Sequence, residues 1–128
     1  MAVNRTDAGM QQLINMFGDC AQIKKLWTNA SLESEFPAQT IKVDLSSYQF
    51  VIISFKLGSG FEVMSISKVG TNGMIGSPNE NVNATNANYV RRYIVSKDNI
   101  NFGDGYFNSK MYNIYTKPVE IYGVKGVK

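Results

Sequence analysis

One carboxylate framed by two glycines and two aromatic rings, Phe102-Gly103-Asp104-Gly105-Tyr106, is the segment of this chain whose residue types come nearest to a chemical site. Four readings fit it: a metal loop, a catalytic acid, a platform for a sugar ring, or a turn. A calcium loop needs several oxygen ligands at regular spacing, and the acidic residue before Asp104 is no nearer than Asp98, so the metal reading fails on ligand number. Glycoside hydrolysis needs a second carboxyl group about 5 to 9.5 Å away, and Glu62 and Glu120 are the partners the sequence offers. Histidine is absent and Cys20 is the single cysteine. Those two facts remove the commonest general base, the Ser-His and Cys-His nucleophile pairs and any thiolate zinc site. A small β domain rarely offers the deep cleft that paired acids need. The expectation is therefore a protein that is not an enzyme, with no catalytic residue, metal or cofactor.

Two readings of the segment survive. Gly103 and Gly105 supply permissive dihedrals and Asp104 can bond its own backbone, which predicts a hairpin turn closing the strand "INF". The sugar reading rests on the neighbouring composition: Tyr106, Phe107, Tyr112 and Tyr115 share a polar stretch with Asn101, Asn108 and Asn113. A ring covers the apolar face of a sugar while neighbouring amides satisfy its hydroxyls. Tyr106, Asn108 and Tyr112 are the candidate ligand-binding residues, for a shallow polysaccharide site. Against this stands the two-residue period of a strand, which turns some of these rings into the core. Arg91 and Arg92 are adjacent and must point to opposite faces of a strand; an inward arginine predicts a carboxylate partner such as Glu62 or Asp104. Trp27 reads as a core anchor.

The elements that position these residues are mostly strands. "TIKVDL" alternates, with Ile41, Val43 and Leu45 on one face. "YQFVIISFKL" is apolar on both faces, as in a central strand covered on each side. Gly58-Ser59-Gly60 reads as a hairpin connection, and Asn72-Gly73 as a second, two-residue one pairing "SISKVG" with Met74-Ile75. Residues 77–88 read as a polar loop. "YVRRYIVS", "NINFG" and "PVEIYGVK" come after it as strands. Met10, Leu13, Ile14 and Phe17 recur at three- and four-residue steps and predict one N-terminal helix over 1–20, laid over one end of the β core, with an oligomerisation or anchoring segment as the alternative. The remainder, 21–128, is expected to be a single mainly β domain, an antiparallel β-sandwich with jelly-roll or Greek-key connections.

A net charge of +3 with scattered Lys and Arg gives no stripe for a phosphate backbone, so no nucleic acid is expected. No apolar run suits a secretory signal or a bilayer crossing, which predicts synthesis in the cytosol and no membrane insertion.

Taken in order, "LWTN" at Leu26–Asn29, "FPAQTIKVDLSSYQFVIISFK" at Phe36–Lys56, "VRRYIVSKDNINFGDGYFN" at Val90–Asn108 and the closing "PVEIYGVK" resemble the small β domains of phage and prophage tail or baseplate-associated proteins of Gram-positive bacteria. The likeness spans Leu26 to Lys125 and leaves out the helix and the 77–88 loop. It implies a virion structural protein, assembled in the host cytoplasm, whose partners are other phage virion proteins, with a host cell-surface polysaccharide as a further candidate. It implies no catalytic residues. Virion fittings repeat a subunit symmetrically, so a homo-oligomer is expected, with a trimer as the preferred state. The alternative is a free-standing, lectin-like carbohydrate-binding module.

Overall fold

The computed structural model describes residues 22–57, 62–76 and 89–125. The expected N-terminal helix, the Gly58-Ser59-Gly60 connection and the 77–88 loop lie outside them. Among the described residues nine strands succeed one another: β1 (Gln22–Thr28), β2 (Gln39–Lys42), β3 (Phe50–Lys56), β4 (Glu62–Lys68), β5 (Asn72–Gly76), β6 (Tyr89–Val95), β7 (Asn99–Phe107), β8 (Lys110–Met111) and β9 (Lys117–Lys125). They form two antiparallel sheets, β1-β9-β3-β4 and β2-β7-β6-β5, with β8 added to β7. The mainly β, antiparallel expectation holds.

Alternation along the strands builds the core. Val51, Ile53 and Phe55 of β3 and Ile121 of β9 meet Ile75, Tyr93, Val95, Ile100 and Phe102 from the other sheet in one buried cluster. The ring centroids of Phe55 and Tyr93 lie 5.9 Å apart, and those of Phe55 and Phe102 6.2 Å. Burial of such side chains is the main force closing the layers, at about 1.5 to 3 kcal/mol each. The "TIKVDL" alternation is kept although β2 ends at Lys42: Val43 and Leu45 are buried and Asp44 is exposed. Their amides bond to Asp98 and Lys97, at the turn joining β6 to β7. Trp27 is half-buried and meets Phe36 edge to face at 6.3 Å.

Three expectations are corrected. Asn72-Gly73 is not a hairpin turn. The chain turns three residues earlier, at Val69-Gly70, where Gly70 holds φ at +95°, and passes from the first sheet to the second. Asn72 and Gly73 lie inside β5, opposite Ile94 and Tyr93. Gly73 is needed there for a different reason, because a Cβ would overlap the Tyr93 ring. Phe102–Tyr106 is not a turn either but the middle of β7. Pairing of β6 with β7 shifts between Arg91 and Tyr93, so that Gly103 and Asp104 together face Arg92 in a β-bulge. The reversal comes at Asn108-Ser109, with φ of 51° and 67°, as the mirror-image turns that suit twisted strands require. The third correction concerns Arg91 and results from this bulge.

Candidate functional site

The bulge divides two adjacent arginines between two surroundings. Arg91 points into the layers and is fully buried. Instead of the carboxylate expected from the sequence, it finds four backbone carbonyls: Nε donates to Thr116 at 2.8 Å, Nη1 to Phe36 at 2.8 Å and to Gly103 at 2.7 Å, and Nη2 to Tyr115 at 3.0 Å. Burial pushes the guanidinium down to about 10, with the charge of Asp104 offsetting part of the effect. The planar fork suits this role, since its donors diverge in fixed directions. Thr116, a β-branched residue at φ 52°, is among the carbonyls it holds. Such a conformation persists only where its surroundings over-determine it. Gly105 passes so close that a Cβ would come within 2.6 Å of Arg91 Nη2 and 2.7 Å of the Tyr115 carbonyl. Arg91 thus ties β7, the segment from Tyr112 to Thr116 and the loop at Phe36 into one block.

Arg92 points outward. With Ala38, Val90, Gly103, Asp104, Tyr106 and Ser109 it lines an open groove of about 530 Å³. Asp104 is fixed at one wall, where Oδ1 accepts the Ala38 amide at 2.9 Å. Arg92 and Asp104 form no ion pair with one another, so a cation, a carboxylate oxygen, a hydroxyl and a phenol ring face the same space. The outer surface of this sheet continues the groove as an apolar face: Met74 and Met111 are each 58% exposed, Ile94 48% and Tyr106 41%. Register aligns Gly76, Val90, Tyr106 and Met111 across four strands.

The three residues expected to share a site are not brought together. Tyr106 is in the groove. Tyr112 lies on the other side of the hairpin, because Phe107 next to Tyr106 must face the opposite way and Tyr112 packs against Phe107 at 6.2 Å. Tyr112 belongs to a ring cluster with Tyr89, Phe107 and Tyr115, whose centroids are 5.0 to 6.2 Å apart. Asn108 sits in the turn between the two sides. The groove residues that sequence reasoning passed over as ligands are Arg92 and Asp104. Adjacency to a second arginine pointed to Arg92, but a bulge that aims Asp104 at it leaves no mark in a hydrophobic pattern.

The acids suggested as a hydrolytic pair lie apart in the topology. Asp104 is on the outer face of the second sheet, and Glu120 is in β9 of the first, paired with Lys25 at 2.6 Å and accepting from the Tyr122 hydroxyl at 2.9 Å. Glu62 begins β4, opposite Lys56. Among the described residues no three Cys, Asp or Glu side chains gather where they could hold a metal ion. Set against known proteins, the chain matches no family model, no curated protein and no solved structure.

Proposed function

We propose that this chain is a non-catalytic β-sandwich subunit of a tailed phage or prophage particle, with Greek-key-type crossings between its layers, working in tail or baseplate assembly. The outer face of the β2-β7-β6-β5 sheet is the surface it presents to a partner. One observation carries this reading: that face leaves Met74, Ile94, Tyr106 and Met111 open to solvent around Arg92 and its groove. An isolated exposed apolar side chain is ordinary, whereas several on one sheet face with a charged centre are what interaction surfaces present. The resemblance in segment order, from "LWTN" to "PVEIYGVK", supplies the virion context.

Mass spectrometry of purified particles is expected to find the chain as a stoichiometric component. Within such particles, Tyr106→Ala combined with Met111→Asp is expected to abolish incorporation while the isolated chain still folds. Incorporation at the normal level would remove this face from the proposal, and absence from particles would remove the virion role. Light scattering tests the symmetric oligomer, a trimer in the preferred form, and a monomer at high concentration counts against it.

The groove itself favours a second reading, a carbohydrate-binding module. Tyr106 offers a ring face, and Arg92, Asp104 and Ser109 offer donors and acceptors around it. A glycan array separates the two readings, since an assembly surface gives no sugar signal.

A further inference from the structure

The second sheet is unevenly charged. Its strands, β2, β5, β6, β7 and β8, carry four cations, Lys42, Arg91, Arg92 and Lys110, and a single acid, Asp104. That acid is already engaged. Its Oδ1 accepts the Ala38 amide at 2.9 Å, and its charge acts on the buried Arg91 guanidinium, offsetting part of the effect of burial. Arg92 is exposed on the outer face and forms no ion pair among the described residues.

The position of Arg92 matters as much as its charge. Met74 of β5 lies directly across from it, Val90 and Ile94 stand two residues to either side on the same face of β6, and the Gly103-Asp104 bulge of β7 borders the remaining side. Arg92 therefore stands at the centre of the exposed apolar face and not at its rim. Water solvates its charge while the face is bare. Covering the face removes that water, and an unpaired charge so buried is strongly unfavourable. Two guanidinium groups beside one carboxylate leave a positive balance that a partner has to cancel.

On the reading of this face as an assembly surface, we infer that its partner is a protein segment presenting a carboxylate to Arg92, flanked by apolar side chains that cover Met74, Ile94 and Met111. The planar fork of arginine takes a carboxylate with two parallel hydrogen bonds, and an arginine centred in an apolar patch is a frequent anchor of protein interfaces. A sugar fits the face less well. Seated in the groove beside Tyr106, it leaves Met74, Ile94 and Met111 in water, since none of the three lines that groove.

The test uses particles assembled with full-length variants of the chain. Arg92→Glu is expected to lower incorporation by about tenfold or more, and Arg92→Met by a smaller factor, with Tm unchanged in both. Selection for restored assembly from Arg92→Glu is expected to return a basic or neutral residue in place of an Asp or Glu of a neighbouring virion protein. Incorporation of Arg92→Glu at the parental level, while Tyr106→Ala with Met111→Asp still abolishes it, overturns the carboxylate and leaves the face standing. Parental incorporation of both variants overturns the face and the carboxylate together. If Arg92→Glu fails to fold beside Asp104, Arg92→Met adds no charge there and decides alone, parental incorporation again overturning the proposal. Restoring changes confined to this chain make a second copy the occupant, and retention of a uronic-acid glycan by the parent but not by Arg92→Met makes it an acidic sugar. Either result overturns the protein partner.

Discussion

At the scale of single residues, Arg91 is where the structure departs furthest from ordinary expectation. A buried guanidinium without a carboxylate is costly by itself, and the lowered value of about 10 records that cost. What offsets it is the set of four backbone carbonyls that accept from its guanidinium, one of which, that of Tyr115, also accepts from the Thr116 hydroxyl. The arginine and the irregular backbone around Thr116 therefore depend on one another. Replacing Arg91 with Met keeps most of the volume and takes a donor from each of four acceptors, of which Tyr115 keeps the Thr116 hydroxyl; each acceptor left unpaired costs about 1 to 3 kcal/mol, less the desolvation relieved. The net expectation is a loss of about 3 to 5 kcal/mol of stability in urea unfolding. Lysine is expected to recover little, since one ammonium cannot reproduce the diverging fork. A Met variant within about 1 kcal/mol of the parent would show that the carbonyls find other donors.

At the scale of elements, Tyr93 and Gly73 tie the layers at the β4–β5 edge. Tyr93 projects from β6 across the core, and its hydroxyl bonds to Ser65 and, at 2.8 Å, to Ser67, both on β4 of the facing sheet. Its ring lies over Gly73 of the neighbouring β5. Phe55 and Phe102 hold it from the other sides, at 5.9 and 6.1 Å, so the ring cannot swing away from an added methyl. Gly73→Ala is expected to destabilise by about 1 to 3 kcal/mol through overpacking. Thermal unfolding measures this, and a neutral result would mean that β5 can move outward at no cost. The same pair shows what the sequence conveyed and what it did not. Ile41, Val43 and Leu45, the run from Val51 to Ile53 and the alternation around Tyr93 are legible because burial repeats with the period of a strand. Gly73 is not legible, because a glycine after asparagine signals a turn by local propensity, and only a tyrosine twenty residues later gives it another purpose. The Gly103-Asp104 bulge fails to read for a related cause: two glycines around an aspartate have the composition of a turn, and register is set by the partner strand. Tyr106 is legible as a candidate for the groove. Its separation from Tyr112 arises from the bulge and the late turn at Asn108-Ser109, which together decide which rings share a side.

At the scale of the whole molecule, the charge inventory shapes how stability responds to pH. With no histidine in the chain, no side chain of ordinary pKa changes charge between pH about 5 and 8 apart from the thiol near the upper limit, so a flat plateau is expected there. Asp44 is held below its ordinary value by the Ser46 hydroxyl and then the Ser46 amide. Its contribution is present above the ordinary carboxylate value and is lost as pH falls through the folded-state value. Lys117 works in the opposite sense. Burial and then the charge of Lys56 lower its pKa, while Glu33 opposes, and its ammonium donates to the carbonyls of Leu32 and Ser34. Folding therefore releases proton from this group at alkaline pH, and its contribution makes stability rise as pH climbs through the folded-state value toward 10.5. Lys117→Met isolates that slope. The stability of the parent minus that of the variant, measured by urea unfolding, is expected to stay constant across the plateau and to grow on the alkaline flank. A difference that shrinks there would mean that the Leu32 and Ser34 carbonyls stabilise the charged ammonium by more than its burial costs, reversing the order of the two effects at this end of the molecule.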